Sequence, residues 1–381
     1  MFQQSQPLLP EDDGVLSGTP TPDNLIQLGA SLAAASAQIL IGAEPDSAFS
    51  GAAAGILAGA CAAAGSSAVL VPCATLPELS AASIAADLPL LVHLAEHRLR
   101  VFAKGMLPLT AAWQTLLCDQ PQAEWCAPSQ YGEVLNGSGL TSLFSARIRE
   151  RLPDSFPVLP EITTGSAPLY RKMAQLLRGG RGQLLTIQLS SDGRKLALYH
   201  TDCGWIFHEK VLLLVCQQYF VQGKDVALPY WMPRAAEDMA RKYGRNVLRY
   251  ASCSDGTDNI ARALALAQGF TLDAAILCAE FLRLLSEHRM SLKEWLRCLP
   301  PCHTVHRIVR LDAQGGNSLQ TWQANVNAAQ TAEGYFAEDA RGRVLVRPSR
   351  TGKTAALFAE ADSIETASEL AGDICARLGD G

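Results

Sequence analysis

The sequence predicts an α/β protein: three α/β units with mixed sheets, closed by a small C-terminal α+β unit. Three observations carry this. Apolar runs of strand length alternate with stretches of helical spacing early in the chain, the pattern of a parallel sheet covered on both faces. The same alternation resumes after residue 209, beyond a run of hairpin character. Hydrophobic residues make up 48% of the 381 residues and charged ones 18%, against a usual charged share of roughly 25%. The chain therefore has apolar surface enough for several buried cores.

In the first unit, expected over 1–125, Asp23 caps a helix over 24–37 that leads into a strand at 38–42 (QILIG). Ser50 caps a second helix ending at Gly65, and a strand at 68–71 follows. A third helix, ending over 82–86, leads into a strand at 88–93. Residues 126–208 form a second, shorter unit. Within it, 127–160 is rich in Ser, Gly and Pro and reads as linker with one helix at 141–151. A helix at 167–177 precedes strands at 184–189 and 195–200, with Asp192-Gly193 favouring a tight turn between them, and a short strand at 205–207 closes the unit. The third unit, 209–305, runs helix 209–221, strand 225–228, a helix with Pro233 in its first turn and Gly244 beyond its end, and strand 246–249. Helices at 258–267 and 272–288 follow. The capping box Ser291-Leu-Lys-Glu294 then opens another helix, stopped by Pro300-Pro301. The last unit, 306–381, has strands at 344–347 and 355–360 and a final helix opened by Asp362-Ser-Ile-Glu365.

Charge excludes some functions. The 32 basic and 37 acidic residues give −5 with no long run of either sign, so no electrostatic footprint for nucleic acid is present. Residues 47–77 carry no charge, yet Ala and Gly dominate them and Gly65-Ser66-Ser67 interrupts them, which argues against a membrane span. The opening MFQQSQPLLPEDDG has neither a basic nor an apolar signal region. The eleven cysteines form no CxxC pair. Both features lead to the expectation of a cytoplasmic protein with reduced thiols.

Three segments, in order, resemble the phosphohexomutases, the phosphoglucomutase and phosphomannomutase family. They are ILIGAEPDSAFSGAAAGILAGACAAAGSSAVLV, then MSLKEWLRCLPPCHTVHRIVRL, then Val344-Leu-Val-Arg-Pro-Ser-Arg-Thr-Gly-Lys353 followed by ALFAEA. The last is similar to the family's RPSGTEP phosphate loop. The resemblance implies four domains around one cleft, each giving a loop. It also implies phosphoryl transfer from a phosphoserine to a sugar phosphate, assisted by Mg²⁺. Against the family's TASHNP and NGIKVF, this chain has Leu94-Ala95-Glu96-His97-Arg98 running straight into Leu99-Arg-Val-Phe102, with Glu96 at the phosphoserine position. Against the metal loop DGDADR it has Ser190-Ser191-Asp192-Gly193-Arg194-Lys195. Asp192 is then the only remaining ligand-type residue, and Arg194 stands where a ligand was. Against the sugar loop GEESGH it has only Gln268-Gly269-Phe270-Thr271. The phosphate loop alone keeps its pattern: Arg347, Ser349 and Thr351 match, and Arg350 and Lys353 make it more basic.

Other patterns read as structure. Arg350-Thr351-Gly352-Lys353-Thr354 ends like a Walker A loop, but Arg347 stands where its first glycine belongs and a strand follows where a helix is required. Cys298, Cys302, His303 and His306 have a spacing that invites zinc, but Pro300-Pro301 and a following strand would spread them over both faces. His93 and His97 flank the shortened serine loop with no nucleophile beside them, and Cys61 and Cys278 read as core. The expectation is a mutase-like protein, inactive as an intramolecular phosphotransferase, with no cofactor, binding a phosphosugar or other anion through Arg347, Ser349, Thr351, Arg350 and Lys353. Two alternatives stand beside it. One is an active mutase or phosphatase with relocated residues, which would need Mg²⁺. The other is a scaffold or regulatory partner of another protein.

Overall fold

The structure, a computed structural model, describes residues 9–10, 14–17, 20–45, 47–95, 98–119, 125–287, 290–311, 315–349 and 352–379. The first unit contains β1 (Leu9–Pro10), β2 (Val15–Ser17), α1 (Pro22–Ala35), β3 (Gln38–Ala43), α2 (Ala48–Ala63), β4 (Ser67–Val71), α3 (Leu76–Ala85), β5 (Leu90–Ala95), β6 (Arg98–Ala103), α4 (Ala111–Asp119) and β7 (Val134–Asn136). Its sheet has the order β1-β2-β6-β5-β3-β4-β7. The strands β5, β3, β4 and β7 run parallel, and the β1-β2-β6 edge is antiparallel. The apolar runs of β3 and β5 serve two cores at once. Ile39, Ile41, Leu90 and Val92 face one core with α1 and α2 residues, while Leu40 and Leu91 face another with α3 residues.

The uncharged stretch is α2 and β4. A Cβ on Gly29 of α1 would lie 2.5 Å from the Ala60 Cβ of α2, so the Gly and Ala content lets these helices approach closely. Among the described residues no helix is long and apolar enough to cross a membrane. Two caps lie upstream of the expected ones. Thr21 Oγ1 accepts from the Asn24 N–H with Pro22 at the first helical position, which leaves Asp23 inside the first turn. Ser47 Oγ accepts from the Ser50 N–H, and Ser50 itself is buried.

The second sheet follows α5 (Ser142–Arg149). It comprises β8 (Val158–Thr164), then α6 (Ala167–Leu176), β9 (Gln183–Leu189), β10 (Leu196–His200) and β11 (Gly204–Phe207), in the order β11-β10-β9-β8. The segment 127–160, expected as linker, is partly strand. Val134–Asn136 extends the first sheet past residue 125 by pairing with β4, and β8 opens the second sheet. The three residues of β7 are all exposed, so no core periodicity marked them; pairing alone makes them a strand.

The third unit has α7 (His208–Val221), β12 (Val226–Pro229), α8 (Ala235–Lys242), β13 (Val247–Tyr250), α9 (Asn259–Gln268), α10 (Ala274–Glu287) and α11 (Leu292–Arg297). Its sheet is the parallel pair of β12 and β13. Its helices α7 and α10 share one core with the second sheet. The Ser291–Glu294 capping box forms as expected.

The last unit holds β14 (His303–Arg310), α12 (Gly315–Val326), β15 (Ala329–Thr331), β16 (Gly334–Asp339), β17 (Gly342–Pro348), β18 (Thr354–Ala361) and α13 (Ile364–Leu378). Its five-stranded antiparallel sheet has the order β14-β18-β17-β16-β15, and the two strands expected within it, β17 and β18, pair with each other. Ser363 caps α13 in place of Asp362, its hydroxyl accepting from the Thr366 N–H at 3.1 Å.

Candidate functional site

Chain from all four units meets at a cavity of about 400 Å³. Arg100 of β6 reaches it from the first unit, and the turn between β9 and β10 brings Asp192, Arg194 and Lys195. Trp231, Arg234 and Thr271 come from the third unit, and Arg343, Arg347, Phe358 and Glu360 from the last. Six of the lining side chains are Lys or Arg, and three are carboxylates: Asp192, Glu209 and Glu360. The lining side chains are therefore net basic, although Arg234, Arg343 and Arg347 also pair with Glu237, Asp238 and Glu333 outside the wall.

The β9–β10 turn is built around one hydroxyl. Ser190 Oγ donates to Asp192 Oδ1 at 2.6 Å and accepts from the N–H groups of Arg194 (3.1 Å) and Lys195 (2.9 Å). Gly193 takes a positive φ of 68°, and its carbonyl accepts from the Ala274 N–H at 2.9 Å, docking the turn on α10. Burial raises the Asp192 pKa, but the Ser190 hydroxyl and the cations Arg194 and Arg100 outweigh it and hold the carboxyl below its ordinary value. Its Oδ2 lies 3.8 Å from Arg100 Nη2.

Magnesium does not fit this arrangement. One carboxylate, engaged by a hydroxyl and an amide and flanked by two guanidiniums, is the opposite of an oxygen-rich anionic site. Among the described residues no group of three or more His, Cys, Asp or Glu comes together to hold a metal. The zinc-like spacing is dispersed accordingly. Cys298 is exposed, and Cys302 is buried with its Sγ 3.6 Å from Glu360 Oε1. His306 stacks on Phe358 with ring centroids 4.4 Å apart.

The five residues expected to bind a phosphate are divided between the cavity wall and the loop beyond it. Arg347 lies in the wall, but its Nη1 is paired with Glu333 Oε1 at 2.8 Å, and both side chains are buried. Glu333 Oε2 also accepts from the Ser252 N–H at 2.6 Å, tying the last unit to the third. The Arg347 guanidinium lies 5.5 Å from the Phe358 ring centre. Ser349 and Lys353 belong to the β17–β18 hairpin loop, where Ser349 Oγ accepts from the Thr354 N–H and the Lys353 carbonyl from the Leu311 N–H. Neither lines the cavity. Arg350 and Thr351 lie outside the described residues, as do Glu96 and His97. After the loop comes β18 and no helix, unlike a Walker A motif.

The short Gln268–Thr271 segment packs the fold. Gln268 Oε1 accepts from the Ala227 N–H and its Nε2 donates to the Asp225 carbonyl, while Phe270 is fully buried. Burial lowers the His93 pKa to about 4 and the His208 pKa to about 3, so both imidazoles are neutral.

Sequence reasoning did not single out Arg100, Arg234, Arg343, Trp231 or Glu333. They lie outside the segments that carried the resemblance, or, like Arg343, one residue before one. Arg100 alone had a local signal, standing at the lysine of NGIKVF in the Leu99–Phe102 stretch; for the others only the meeting of the four units makes them neighbours.

Three α/β-type units and a closing α+β unit around a single cleft constitute the phosphohexomutase fold, and this chain has it. The likeness is specific in extent. A phosphoglucomutase/phosphomannomutase family protein from Burkholderia thailandensis superposes with a TM-score of 0.68 at 16% identity over 96% of each chain. A Thermus thermophilus protein assigned to the phosphomannomutases gives 0.66 at 13% identity, over 97% of this chain and all of that one (100%). The Paramecium phosphoglucomutase parafusin, in its open form, gives 0.59 at 11% identity over 99% of both. No protein-family model and no curated protein matches the chain. At these identities the likeness is one of fold.

Proposed function

We propose that this phosphohexomutase-fold protein binds a phosphorylated sugar or similar anion in its central cleft and does not transfer the phosphoryl group. The observation that carries the reading is the basic wall contributed by all four units, in which Arg and Lys outnumber carboxylates six to three. Guanidiniums and a lysine around a cavity of about 400 Å³ suit a phosphate ester. The absence of transfer rests on the metal loop. Asp192 is occupied by Ser190, Arg194 and Arg100, which leaves no anionic site for the cation that phosphoryl transfer requires.

The test is a thermal-shift titration with glucose 1-phosphate, mannose 1-phosphate and inorganic phosphate, with and without Mg²⁺. Ligand at a hundredfold excess over Kd stabilises the folded state by about 2.7 kcal/mol. Lys195 is the variant of choice, because it lines the cavity yet is exposed. Lys195→Ala is expected to weaken binding about tenfold, the loss of one charge-assisted hydrogen bond. Absence of a shift with every ligand, or Mg²⁺-dependent conversion of the 1-phosphate to the 6-phosphate, would sink the reading.

A further inference from the structure

The second sheet ends at an open edge. Its last strand, β11, pairs on one side only, with β10. Among the described residues no other element hydrogen-bonds to the backbone of residues 204–206. Alternate N–H and C=O groups of such a strand point away from its sheet and can accept a further strand. Gly204-Trp205-Ile206-Phe207 carries no charge and no proline, the side chains that commonly keep an edge from pairing. Trp205 and Phe207 are exposed.

This edge borders a groove of about 350 Å³ that shares no lining residue with the central cavity. Trp205 and Ile206 line it from β11, and Leu296, Leu299, Pro300 and Pro301 line it from α11 and the segment that follows. Lys210 of α7 and Lys293 and Arg297 of α11 bring three cations to it, against the single carboxylate of Asp202. None of the three cations is in a salt bridge with a described carboxylate. Two features therefore select the occupant. The unpaired edge calls for an extended chain, whose own backbone satisfies it, as a sugar or a free phosphate does not. The cations beside apolar walls call for carboxylates, and the two-residue period of a strand sends alternate side chains to the same face.

We propose that this groove takes up an extended acidic peptide of a partner protein. The peptide adds to the second sheet as a strand beside β11, and its carboxylates meet Lys210, Lys293 and Arg297. The proposal is independent of the reading of the cleft.

Fluorescence anisotropy with a labelled heptapeptide of alternating Glu and Val tests it. The same peptide with Lys for Glu, and two forms N-methylated at alternate amides in either register, serve as comparisons. The Glu peptide is expected to bind about tenfold or more tighter than the Lys peptide. One of the two N-methylated forms is expected to lose about tenfold, because the donors facing β11 are then gone. Lys293→Gln combined with Arg297→Gln, at two exposed positions, is expected to weaken the Glu peptide about fivefold with an unchanged urea midpoint. No binding, equal affinity for the Glu and Lys peptides, or binding indifferent to N-methylation or to the double variant would overturn the proposal. So would a wild-type dimer in sedimentation that Trp205→Lys dissolves, since a second copy would then hold the edge.

Discussion

Glu333 and Arg347 form the pair on which the reading of the 347–353 segment turns. Their contact at 2.8 Å is almost fully buried, so removing one partner strands the other in a dry site. Arg347→Ala is expected to cost about 3–5 kcal/mol in urea unfolding, and lost phosphate binding in that variant would report loss of structure as much as loss of a ligand. Glu333→Gln is the cleaner probe, since it keeps an acceptor for the Ser252 N–H and removes the competing charge. It is expected to tighten inorganic phosphate binding about tenfold; unchanged affinity would show that Arg347 takes no part. Burial also sets a pH response. His93 and His208 titrate at about 4 and about 3 in the fold and near 6.5 when unfolded, so below pH 6.5 the unfolded chain holds more protons and stability falls as pH drops. Asp273, raised by burial to about 6, acts oppositely, because the fold binds its proton first. The carboxyl of Asp192, held below its ordinary value, adds to the loss as pH falls. His208→Asn should reduce the slope by about 1.4 kcal/mol per pH unit between roughly pH 5.5 and 4.5, and an unchanged slope in urea melts would refute the assignment.

At the scale of elements, the clearest joint is the N-terminus of α8. Both Glu360 oxygens are used there, Oε2 accepting from the Arg234 N–H at 2.6 Å and Oε1 from the Ala235 N–H at 2.8 Å. A carboxylate on β18 thus caps a helix of the third unit, satisfying donors the helix cannot pair itself. Arg343 of β17 extends the joint to Asp238 and Glu338, at 2.9 Å each. Glu360→Ala is expected to cost about 2–4 kcal/mol and Glu360→Gln clearly less, since the amide oxygen still accepts; equal losses would mean the charge, not the cap, matters. None of this joint was legible beforehand, because Glu360 reads in sequence as the polar end of a strand. By contrast, α7, α8, α9 and α10 and the strands between them were legible: α8 and α9 bury one face, while α7 and α10 are apolar runs of helix length buried nearly all round. The strands β15 and β16 escaped because their side chains are only partly buried or exposed.

Across the whole molecule, contacts far apart in sequence assemble the cleft. Lys172 of α6 meets the buried Glu78 of α3, joining the second unit to the first. Arg262 of α9 donates to the Pro108 carbonyl, joining the third to the first. The order of units, the single carboxylate of the 190–195 turn, the brevity of the 268–271 segment and the basic character of the C-terminal hairpin were all written in the sequence, because local propensity, periodicity and residue identity are properties of short segments. Which charges face one another is not such a property. The engagement of Arg347 by Glu333 and the convergence of Arg100, Arg194 and Arg343 on one cavity were decided only by tertiary structure. They depend on distances between side chains that only the packing of the four units sets.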